Sequence, residues 1–320
     1  MVFTSPENSI FQCTILKPAH YIGVGLHSGQ RASMTLLPAP PGSGIQFQRK
    51  DVPEHIGKVH ANWLNVVDTR LCTVLGNEHG VTVSTVEHLL AAIRCCGIDN
   101  LIIELHGEEV PILDGSSKPM VALLRGAGIS TQDQPRAALR ILRPIEIHQG
   151  ERHATLVPSS VPRISVNIEF ENPAIGTQTK SIALAEDLLE QEIAPARTFG
   201  FAEELESLHA QGLALGGSTR NAILLDGANV VNKEGLRYID EFVRHKILDC
   251  IGDLALAGAP IFGHLLTHKP GHRLNNALLR ELYAHPDAWE LSTYEQVHQL
   301  PTRETGFLPQ RLVAFAGRRN

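Results

Sequence analysis

Short apolar runs alternate with turn signals along residues 10–135, which is the pattern of β-strands. The turns at 40–44 and 76–80 read PPGSG and GNEHG and separate such runs. The predicted strands cover residues 33–39, 44–49, 69–75 and 100–105. Two longer stretches, 84–97 and 118–128, place apolar residues three and four positions apart and end in glycine, so they predict helices.

The second part of the chain has the same style. Its predicted strands cover residues 138–148, 153–159 and 163–170. Its predicted helices cover residues 185–194, 201–212, 242–256 and, as the last helix, 275–285. Two parts of similar content, each with strands and helices, predict an α+β protein with a duplicated architecture.

A polar stretch joins the two parts. ISTQDQPRA, residues 129–137, has no apolar period and contains proline, so we interpret it as a linker between domains. The predicted domains therefore span residues 1–130 and 137–320. Within the second domain, residues 196–220 mix small, aromatic and glycine residues, which indicates an insert rather than a part of the sheet core.

The helix predicted over 242–256, FVRHKILDCIGDLAL, carries a polar stripe. His245, Asp249 and Asp253 are four residues apart and stack on consecutive turns. Lys246 falls with them within an arc of about 100°. A stripe of this kind is usually a solvated face. Two carboxylates on consecutive turns repel each other, however, unless a cation or a proton-bearing partner lies between them, so the helix alone leaves both interpretations open.

Composition narrows the classes of protein. With 43% hydrophobic and 19% charged residues the chain is globular, and its net charge of −6 without a basic stripe argues against nucleic-acid binding. Five cysteines, none in a Cys-x-x-Cys pair, indicate neither a disulfide framework nor a cysteine zinc site. The start of the chain has no signal-peptide pattern and no apolar run reaches membrane-span length. We therefore expect a cytoplasmic protein without an integral membrane segment.

A second group of candidates opens the helix predicted over 84–97. Ser84 and Glu87 fit a capping box, in which the glutamate reaches back to the helix start. His88 follows in the first turn, where the helix dipole opposes a protonated imidazole and favours the neutral form that metals bind. Helix capping for Glu87 and a hydrogen-bonded interface position for His88 are the alternatives to a functional site.

Together the two helices supply the ligand types of a catalytic zinc site. His88, His245 and Asp249 offer two nitrogens and one carboxylate oxygen, which leaves a fourth position for water. A glutamate next to a ligand histidine, as Glu87 is, recurs in zinc hydrolases, where it takes a proton from the metal-bound water. Cysteine competes weakly, because Cys250 points away from the polar stripe. Spacing alone does not decide between a metal site and ordinary polar faces.

His272 is a third candidate, in the stretch KPGHRLNNALLREL at 269–282. It lies in a glycine-containing loop ahead of a helix whose predicted cap is Asn275 or Asn276. An exposed loop histidine is one interpretation. The other makes His272 a general acid whose pKa is raised by a carboxylate such as Asp253.

Eight stretches taken together resemble one family closely, the UDP-3-O-acyl-N-acetylglucosamine deacetylases, which are zinc amidases of lipid A biosynthesis in Gram-negative bacteria. The matching stretches are GVGLHSG (23–29), STVEHLLAA (84–92), GIDN (97–100), ILDGSS (112–117), ARTFGF (196–201), GLALGGS (212–218), DEFVRHKILDCIGDL (240–254) and KPGHRLNN (269–276). They run in order through most of the chain, which makes the match far more specific than any single motif.

The resemblance implies how the reaction would proceed. His88, His245 and Asp249 would bind one Zn²⁺ per chain. Glu87 would be the general base for the water that attacks the acetamide carbonyl at the sugar C2 position. The expected products are acetate and the free glucosamine nucleotide.

The resemblance also assigns the remaining catalytic roles. The zinc ion and the Thr198 hydroxyl would stabilise the tetrahedral oxyanion. His272, protonated and oriented by Asp253, would stabilise developing charge and then protonate the departing amine.

The substrate implied is a UDP-linked acylated amino sugar. Lys246 would lie near the sugar or diphosphate and Phe199 beside the sugar ring, while Lys269 and Arg152 would contact the diphosphate. The acyl chain would enter a hydrophobic passage formed largely by the 196–220 insert. Its candidate lining residues, for which ordinary core packing is the alternative, are Leu26, Leu205, Ala214 and Leu224.

The fold implied is α+β, with two similar domains that each layer a small, mostly antiparallel sheet with helices and enclose the active site between them. His27 matches a family histidine near that site, without an assigned role. We expect a monomer. Two rival functions remain: a zinc amidohydrolase of the same fold acting on another acylated amino sugar, and a catalytically silent sugar-nucleotide binding protein. The second is disfavoured because the base, the acid and all three ligands occur together.

Overall fold

Two α+β halves make up the protein, and each half has a main sheet and its own helices. The structure is a computed structural model that describes residues 10–299, so residues 1–9 and 300–320 lie outside the described part. The elements of the first half are β1 (Phe11–Ile15), β2 (Ala19–Val24), β3 (Arg31–Pro38), β4 (Ile45–Arg49), β5 (Lys58–His60), β6 (Val66–Asp68), β7 (Val74–Gly76), β8 (Thr82–Val83), α1 (Glu87–Cys95), β9 (Leu101–His106), α2 (Lys118–Ala127) and β10 (Ile129–Pro135). The predicted α+β class is confirmed.

The main sheet of the first half has five strands in the order β2-β3-β9-β4-β5. All neighbours in it are antiparallel except β4 and β9. One face of this sheet packs on the core. In strand β3, Ala32, Met34 and Leu36 are buried at a spacing of two, so their side chains lie on that face. Helices α1 and α2 contribute apolar residues to the same core.

The second half contains the longer run of elements. They are β11 (Ala137–Ile141), β12 (Ile145–Gln149), β13 (Arg152–Pro158), β14 (Arg163–Glu169), β15 (Thr177–Ala183), α3 (Glu186–Leu188), β16 (Phe199–Phe201), α4 (Leu205–Ala210), β17 (Ile223–Asp226), β18 (Asn229–Val230), α5 (Glu241–Ala255), β19 (Ile261–His268), α6 (His272–Ala284), β20 (Trp289–Thr293) and α7 (Tyr294–Gln299). Short 3₁₀ turns lie at Trp63–Asn65, Ala202–Glu204 and Pro286–Ala288, and α3 continues into a π-helical turn at Leu189–Ile193.

Strand β19 organises the seven-stranded sheet of the second half. It pairs antiparallel with β13 and parallel with β14 and β11. The outer strands pair antiparallel with the strands next to them: β12 with β13, β15 with β14 and β20 with β11. No helix among residues 10–299 combines the length and the apolar character needed to span a membrane.

Each half also carries a separate three-stranded sheet. In the first half it consists of β6, β7 and β8, and in the second half of β16, β17 and β18. Residues 196–220, expected to form an insert, lie outside the seven-stranded sheet. Their strand Phe199–Phe201 belongs to the second of these small sheets, and α4 and loops make up most of the rest. The two small sheets therefore occupy equivalent places in the order of elements.

Several predicted elements are wrong in their limits. The supposed linker at 129–137 is mainly strand β10, which pairs antiparallel with β1; its side chains show no apolar period because most of them are at least partly exposed. The strand predicted over 138–148 is interrupted before Pro144, which has no N–H to donate to a ladder. The strand predicted over 69–75 is mostly loop. A domain boundary near residues 130–137 stays a prediction.

The helix predicted over 275–285 also differs. It begins three residues earlier, with Gly271 as its extended N-cap residue, so His272 lies in the first helical turn and not in a loop. It is not the last helix, because α7 follows β20. The early start matters for function, since a helix holds a side chain in a more fixed direction than a loop does.

Helices α1 and α5 meet at a glycine. A Cβ atom on Gly252 would lie 2.0 Å from the carbonyl oxygen of Glu87 and 2.9 Å from its Cα. Only a residue without a side chain permits this approach, and it brings the first turn of α1 against the polar stripe of α5.

We expect Gly252→Ala to separate the two helices. The clash is with backbone, so it cannot be relieved by rotating a side chain, and the free energy of unfolding should fall by about 1–3 kcal/mol or more. Urea denaturation of the purified variant measures this change.

Gly126→Ala is the matched control, because Gly126 lies inside helix α2 and a Cβ there meets nothing within 4 Å. Alanine at this helical position should stabilise the protein by about 0.5–1 kcal/mol. Equal stability of Gly252→Ala and the wild-type protein would show that the helix contact is not constrained as described.

Candidate metal centre

The N-terminus of α1 has no side-chain cap. Val86 is the N-cap residue, and no side-chain hydrogen bond caps the helix. The Ser84 hydroxyl donates to the Glu108 carbonyl at 3.1 Å, and Glu87 Oε2 accepts a hydrogen bond from the backbone N–H of Thr73 at 3.0 Å. The capping-box interpretation is therefore wrong, and the Glu87 carboxylate is available to the space between α1 and α5.

His88 from α1 and His245 and Asp249 from α5 form a compact cluster. One ligand atom from each lies within 4.8 Å of the other two. Asp249 Oδ1 is 3.7 Å from His88 Nε2 and 3.4 Å from His245 Nε2, and the imidazole rings meet edge to face. All three side chains are buried, as is Asp253 one turn further along. The solvated-face interpretation of the α5 stripe is therefore wrong.

The electrostatics of the cluster favour a metal ion. Burial lowers the pKa of His245 to about 3, so the ring is neutral, and its Nδ1 lies 3.1 Å from the Ala196 carbonyl. A carbonyl accepts, so Nδ1 carries the proton and Nε2 keeps its lone pair towards Asp249. Burial alone would raise the pKa of Asp249, but its basic neighbours, among them the Lys246 ammonium, hold it well below its usual range. This is the protonation state of a ligand set.

The charges of this buried region also support the fit of a cation. Its carboxyl groups outnumber its basic side chains, so a cation would offset part of the excess negative charge. The carboxyl groups are those of Glu87, Glu109, Asp249 and Asp253, and the basic groups are those of Lys246 and His272.

A proton-transfer group lies beside the cluster. His272 Nδ1 is 2.8 Å from Asp253 Oδ2, and His272 Nε2 is 3.8 Å from Glu87 Oε1. Burial by itself lowers the pKa of His272, but the charges of Asp253 and Glu87 outweigh it and raise the pKa to about 10. Burial also raises the pKa of Glu87. The imidazole is thus a cation held between two carboxyl groups, and the exposed-loop interpretation of His272 is wrong.

Lys246 and Phe199 lie on the other side of the cluster. Lys246 Nζ donates to Asp249 Oδ2 at 2.6 Å and lies 5.5 Å from the centre of the Phe199 ring. Burial opposes the charged ammonium, yet Asp249 raises the pKa of Lys246 above its usual value. Phe199 also contacts His245, with ring centres 6.2 Å apart. Metal ligands, a cation and an aromatic ring therefore share one region.

The amino-acid sequence that forms this site has relatives among known proteins. A family model described as LpxC, UDP-3-O-acyl N-acetylglycosamine deacetylase, matches residues 12–284. The chain belongs to this family. The UDP-3-O-acyl-N-acetylglucosamine deacetylase of Idiomarina loihiensis is 47% identical over 290 residues, which are 90% of this chain and 94% of that protein. The proteins of the same name from Syntrophotalea carbinolica and Phenylobacterium zucineum are each 45% identical, over 88% and 90% of this chain and 91% and 98% of their own.

The family resemblance drawn from the sequence is thus confirmed, and the chain is a hydrolytic deacetylase. In this deacetylase the backbone of Thr198 is fixed by two hydrogen bonds: its N–H donates to the Gly115 carbonyl and its carbonyl accepts from the Ile223 N–H, both at 2.8 Å. Thr198 lies two residues after Ala196, the residue that orients His245. A Cβ on Gly115, whose φ is +82°, would lie 1.9 Å from the carbonyl oxygen of Asn221 and 3.4 Å from the side-chain methyl group of Thr198. The ILDGSS turn therefore packs directly against the segment that carries Thr198.

The residues expected to contact the diphosphate border the loop that leads to His272. Lys269 has a positive φ, and its Nζ pairs with Glu151 at 3.0 Å and with Glu169 at 3.2 Å. Arg152 opens β13, and its guanidinium is 3.5 Å from the position that a Cβ would take on Gly271. Both basic groups therefore lie at the edge of the site, and their contact with substrate stays a prediction.

The candidate passage residues are only partly brought together. The insert loop pairs with the GVGLHSG loop through two backbone hydrogen bonds. Gly216 N–H donates to the Leu26 carbonyl and Leu215 N–H to the His27 carbonyl, both at 3.0 Å. Ala214 lies in this insert loop with a positive φ of 57°. Leu205 begins α4 and Leu224 lies in β17, and both are half-buried. Their role in an acyl passage stays a prediction.

His27 lies beside the site. Its Nδ1 is buried without a partner among residues 10–299, and burial lowers its pKa while Glu109, His272 and His88 act on it electrostatically. Glu109 in turn accepts from the His27 backbone N–H at 2.8 Å and from the hydroxyl of Thr85 at 2.9 Å. The histidine therefore faces the same region as the metal cluster.

The sequence interpretation missed four residues around the site, namely Thr73, Thr85, Glu109 and Asn275, the last only considered as a cap. Thr85 has a φ of +57°, which is uncommon for a threonine and is stabilised by its bond to Glu109. Asn275 Nδ2 donates to Asp253 Oδ2 at 2.8 Å. The spacing of apolar residues does not mark these four residues. The one feature that could have indicated Glu109 is the pair of acidic residues in GEEVP (107–111), directly after a predicted strand.

We expect His245→Ala to lose the metal ion. Replacing a residue that only hydrogen-bonds a metal ligand typically weakens metal binding by about 10–100-fold, so removing a ligand should weaken Zn²⁺ binding by more than about 100-fold. Metal content after dialysis against a chelator, followed by Zn²⁺ titration with a competing dye, measures this effect.

His148→Ala serves as the control, because His148 is an exposed histidine on β12 that pairs with Glu146. It should keep the wild-type metal content. Stoichiometric, tight zinc in His245→Ala would contradict the cluster as the metal site.

Proposed function

We propose that a single Zn²⁺ ion, held by His88, His245 and Asp249, enables this chain to remove the acetyl group of UDP-3-O-acyl-N-acetylglucosamine. This deacetylation is the activity of its family and a step of lipid A biosynthesis. The observation that carries the zinc site is the buried cluster of two imidazoles and one carboxylate, which is the ligand set of a catalytic zinc ion.

The fit to zinc rests on the chemistry of the donors. Two imidazole nitrogens and one carboxylate oxygen suit Zn²⁺ better than they suit Mg²⁺ or Ca²⁺, which prefer sites made of oxygen ligands. When bound, the ion supplies Lewis acidity, which polarises the amide carbonyl and makes water a stronger acid. One ion per chain, a monomeric enzyme and a cytoplasmic location belong to the same proposal.

Glu87 is the general base. The Thr73 N–H holds its Oε2, and its Oε1 faces the space next to His88 and His272. Because burial raises its pKa, Glu87 can accept a proton from the attacking water more readily than an exposed carboxylate can. Burial next to the ligand histidine thus tunes the residue for proton transfer.

His272 is the general acid. Asp253 fixes its Nδ1, so Nε2 points towards the reacting centre, and the raised pKa keeps the ring protonated at neutral pH. As the C–N bond of the amide breaks, Nε2 gives its proton to the departing amine. The proton that Glu87 has taken can return to His272 across their 3.8 Å separation, which restores both groups.

The remaining site residues bind and orient the substrate. The Thr198 hydroxyl stabilises the developing oxyanion, and Lys246 together with the Phe199 ring holds the sugar. Lys269 and Arg152 neutralise the diphosphate at the edge of the site, where Lys269 would exchange its glutamate partners for phosphate oxygens. The insert, with Leu205 and Leu224, and the loop carrying Leu26 take the acyl chain.

Acetate release tests the proposed function directly. The zinc-loaded protein should release acetate from UDP-3-O-acyl-N-acetylglucosamine, and Glu87→Gln should retain zinc but lose turnover by about 10²-fold or more, since it cannot accept the proton. The matched substrate is UDP-N-acetylglucosamine without the acyl chain, on which kcat/KM should be much lower. Equal rates on the two substrates would favour an amidohydrolase acting on another amino sugar, and full turnover by Glu87→Gln would reject it as the base.

The pH dependence of turnover should report the acid. His272 acts in its protonated form, so the rate falls as pH rises through the pKa of that imidazole, which Asp253 and Glu87 raise against the effect of burial. A bound dication repels the imidazolium, so we expect the basic limb below pH 10. Asp253→Asn removes one raising charge and should move the basic limb to lower pH. A basic limb at the same pH in Asp253→Asn and wild-type kcat profiles would contradict this assignment.

A further inference from the structure

Thr73 contacts the site but belongs to neither α1 nor α5. It ends the loop between β6 and β7 and is almost completely buried, with 2% of its surface exposed. Its backbone N–H donates to Glu87 Oε2 at 3.0 Å, and its hydroxyl donates to Asp253 Oδ1 at 2.5 Å. Its carbonyl accepts from the Val86 N–H at 3.4 Å. All three of its polar groups therefore bind the start of α1 or the carboxyl groups around His272.

These contacts make the two oxygens of each carboxyl group inequivalent. Glu87 Oε2 is held by Thr73, which leaves Oε1 to face His272. Asp253 Oδ1 is held by the Thr73 hydroxyl, which leaves Oδ2 for His272 Nδ1 and for the side-chain amide of Asn275. One residue thus determines which oxygen of each group meets the imidazole.

Such control matters because the terminal torsion of a carboxylate is broad. The last χ angle of Asp and Glu has no sharp staggered minimum, so hydrogen-bond donors decide the rotation of the group. A misplacement of about 1 Å in a catalytic group can cost about 100-fold in rate. Helix packing fixes the Cα positions of Glu87 and Asp253, but it does not fix their carboxyl planes.

We infer that Thr73 is a positioning residue for the deacetylation, which aligns the general base through its N–H and the acid-orienting aspartate through its hydroxyl. The inference rests on the proposed function, because it gives Glu87, Asp253 and His272 their roles. Thr73 itself is not a catalytic residue; it acts through the two carboxyl groups. Its place directly before β7 gives the small β6–β8 sheet a function, namely to support the loop that holds the proton-transfer group.

A purely structural role makes different predictions from a positioning role. Thr73→Val keeps the volume and the backbone N–H to Glu87 but removes the hydroxyl bond to Asp253. A positioning residue then affects kcat with little change in KM or zinc content. A structural residue instead lowers stability, zinc content and turnover together.

We expect Thr73→Val to lower kcat about 10- to 100-fold, because it deletes a hydrogen bond to a buried charged group. KM for the acylated nucleotide should change by less than about twofold, and zinc content should stay at one per chain. Thr73→Ser restores the hydroxyl and should recover most of kcat. Steady-state kinetics of acetate release and metal analysis provide these values.

Thr14→Val is the matched control. Thr14 on β1 is also buried, and its Oγ1 takes part in one hydrogen bond, with the Ala39 N–H at 3.0 Å. The same substitution there costs a hydroxyl without touching Glu87 or Asp253, so kcat should remain at the wild-type value. If Thr73→Val does not fold, Thr73→Ala, which cannot overpack, carries the same prediction.

A double-mutant cycle makes the test sharper. If Thr73 acts through Asp253, adding Thr73→Val to Asp253→Asn should lower kcat by less than about twofold further, because the interaction is already lost. Wild-type kcat in Thr73→Val, or full additivity with Asp253→Asn, would overturn the inference. So would a loss of kcat in Thr73→Val that Thr73→Ser fails to recover. Absence of acetate release by the zinc-loaded wild-type protein would instead refute the proposed function, so the two failures are distinguishable.

Discussion

The close contact between the first turn of α1 and the middle of α5 is the constraint on which the site depends. Gly252 allows the Glu87 backbone to touch α5, and this contact sets the distance between His88 and the pair His245 and Asp249. The other residues of the site lie around this contact. The hydrophobic faces of both helices belong to one continuous core, so the contact is supported by packing and not by the polar groups themselves.

Burying this many ionisable groups is costly unless they satisfy one another. The structure meets that requirement through shared oxygens. Asp249 Oδ2 accepts a hydrogen bond from Lys246, while its Oδ1 faces the two imidazole nitrogens that would share a metal ion with it. Asp253 divides its oxygens between Thr73 on one side and His272 with Asn275 on the other. Each carboxyl group thus links two neighbours. The same distribution separates a ligand side of the site from a proton-transfer side.

The sequence predicted the chemistry of the site better than its surroundings. The polar stripe of α5 was visible because helical spacing is regular, and the motifs identified the family. His272 was placed in a loop because the helix start depends on Gly271, whose extended backbone leaves no signal in composition. The capping box at Ser84 failed because Thr73, distant in sequence, claims the Glu87 carboxylate. Strand β10 was missed because a two-stranded, largely exposed ladder needs no apolar alternation.

Tertiary contacts of this kind cannot be derived from local patterns. Thr73 looked like one residue of a strand, and Glu109 looked like a surface acid in a turn. Both became important only when the fold placed them next to loops far away in the chain. The diphosphate and acyl contacts cannot be derived from the sequence for the same reason, since they depend on how the insert and the GVGLHSG loop meet.

The ligand set takes one side chain from the first half of the molecule and two from the second. An ion held there is therefore a crosslink between the halves, and its affinity contributes to their cohesion. With free ion at 100 times its dissociation constant, this linkage amounts to about 2.7 kcal/mol. Occupancy of the site and the stability of the protein are then coupled, because removing such an ion would also weaken the association of the two halves.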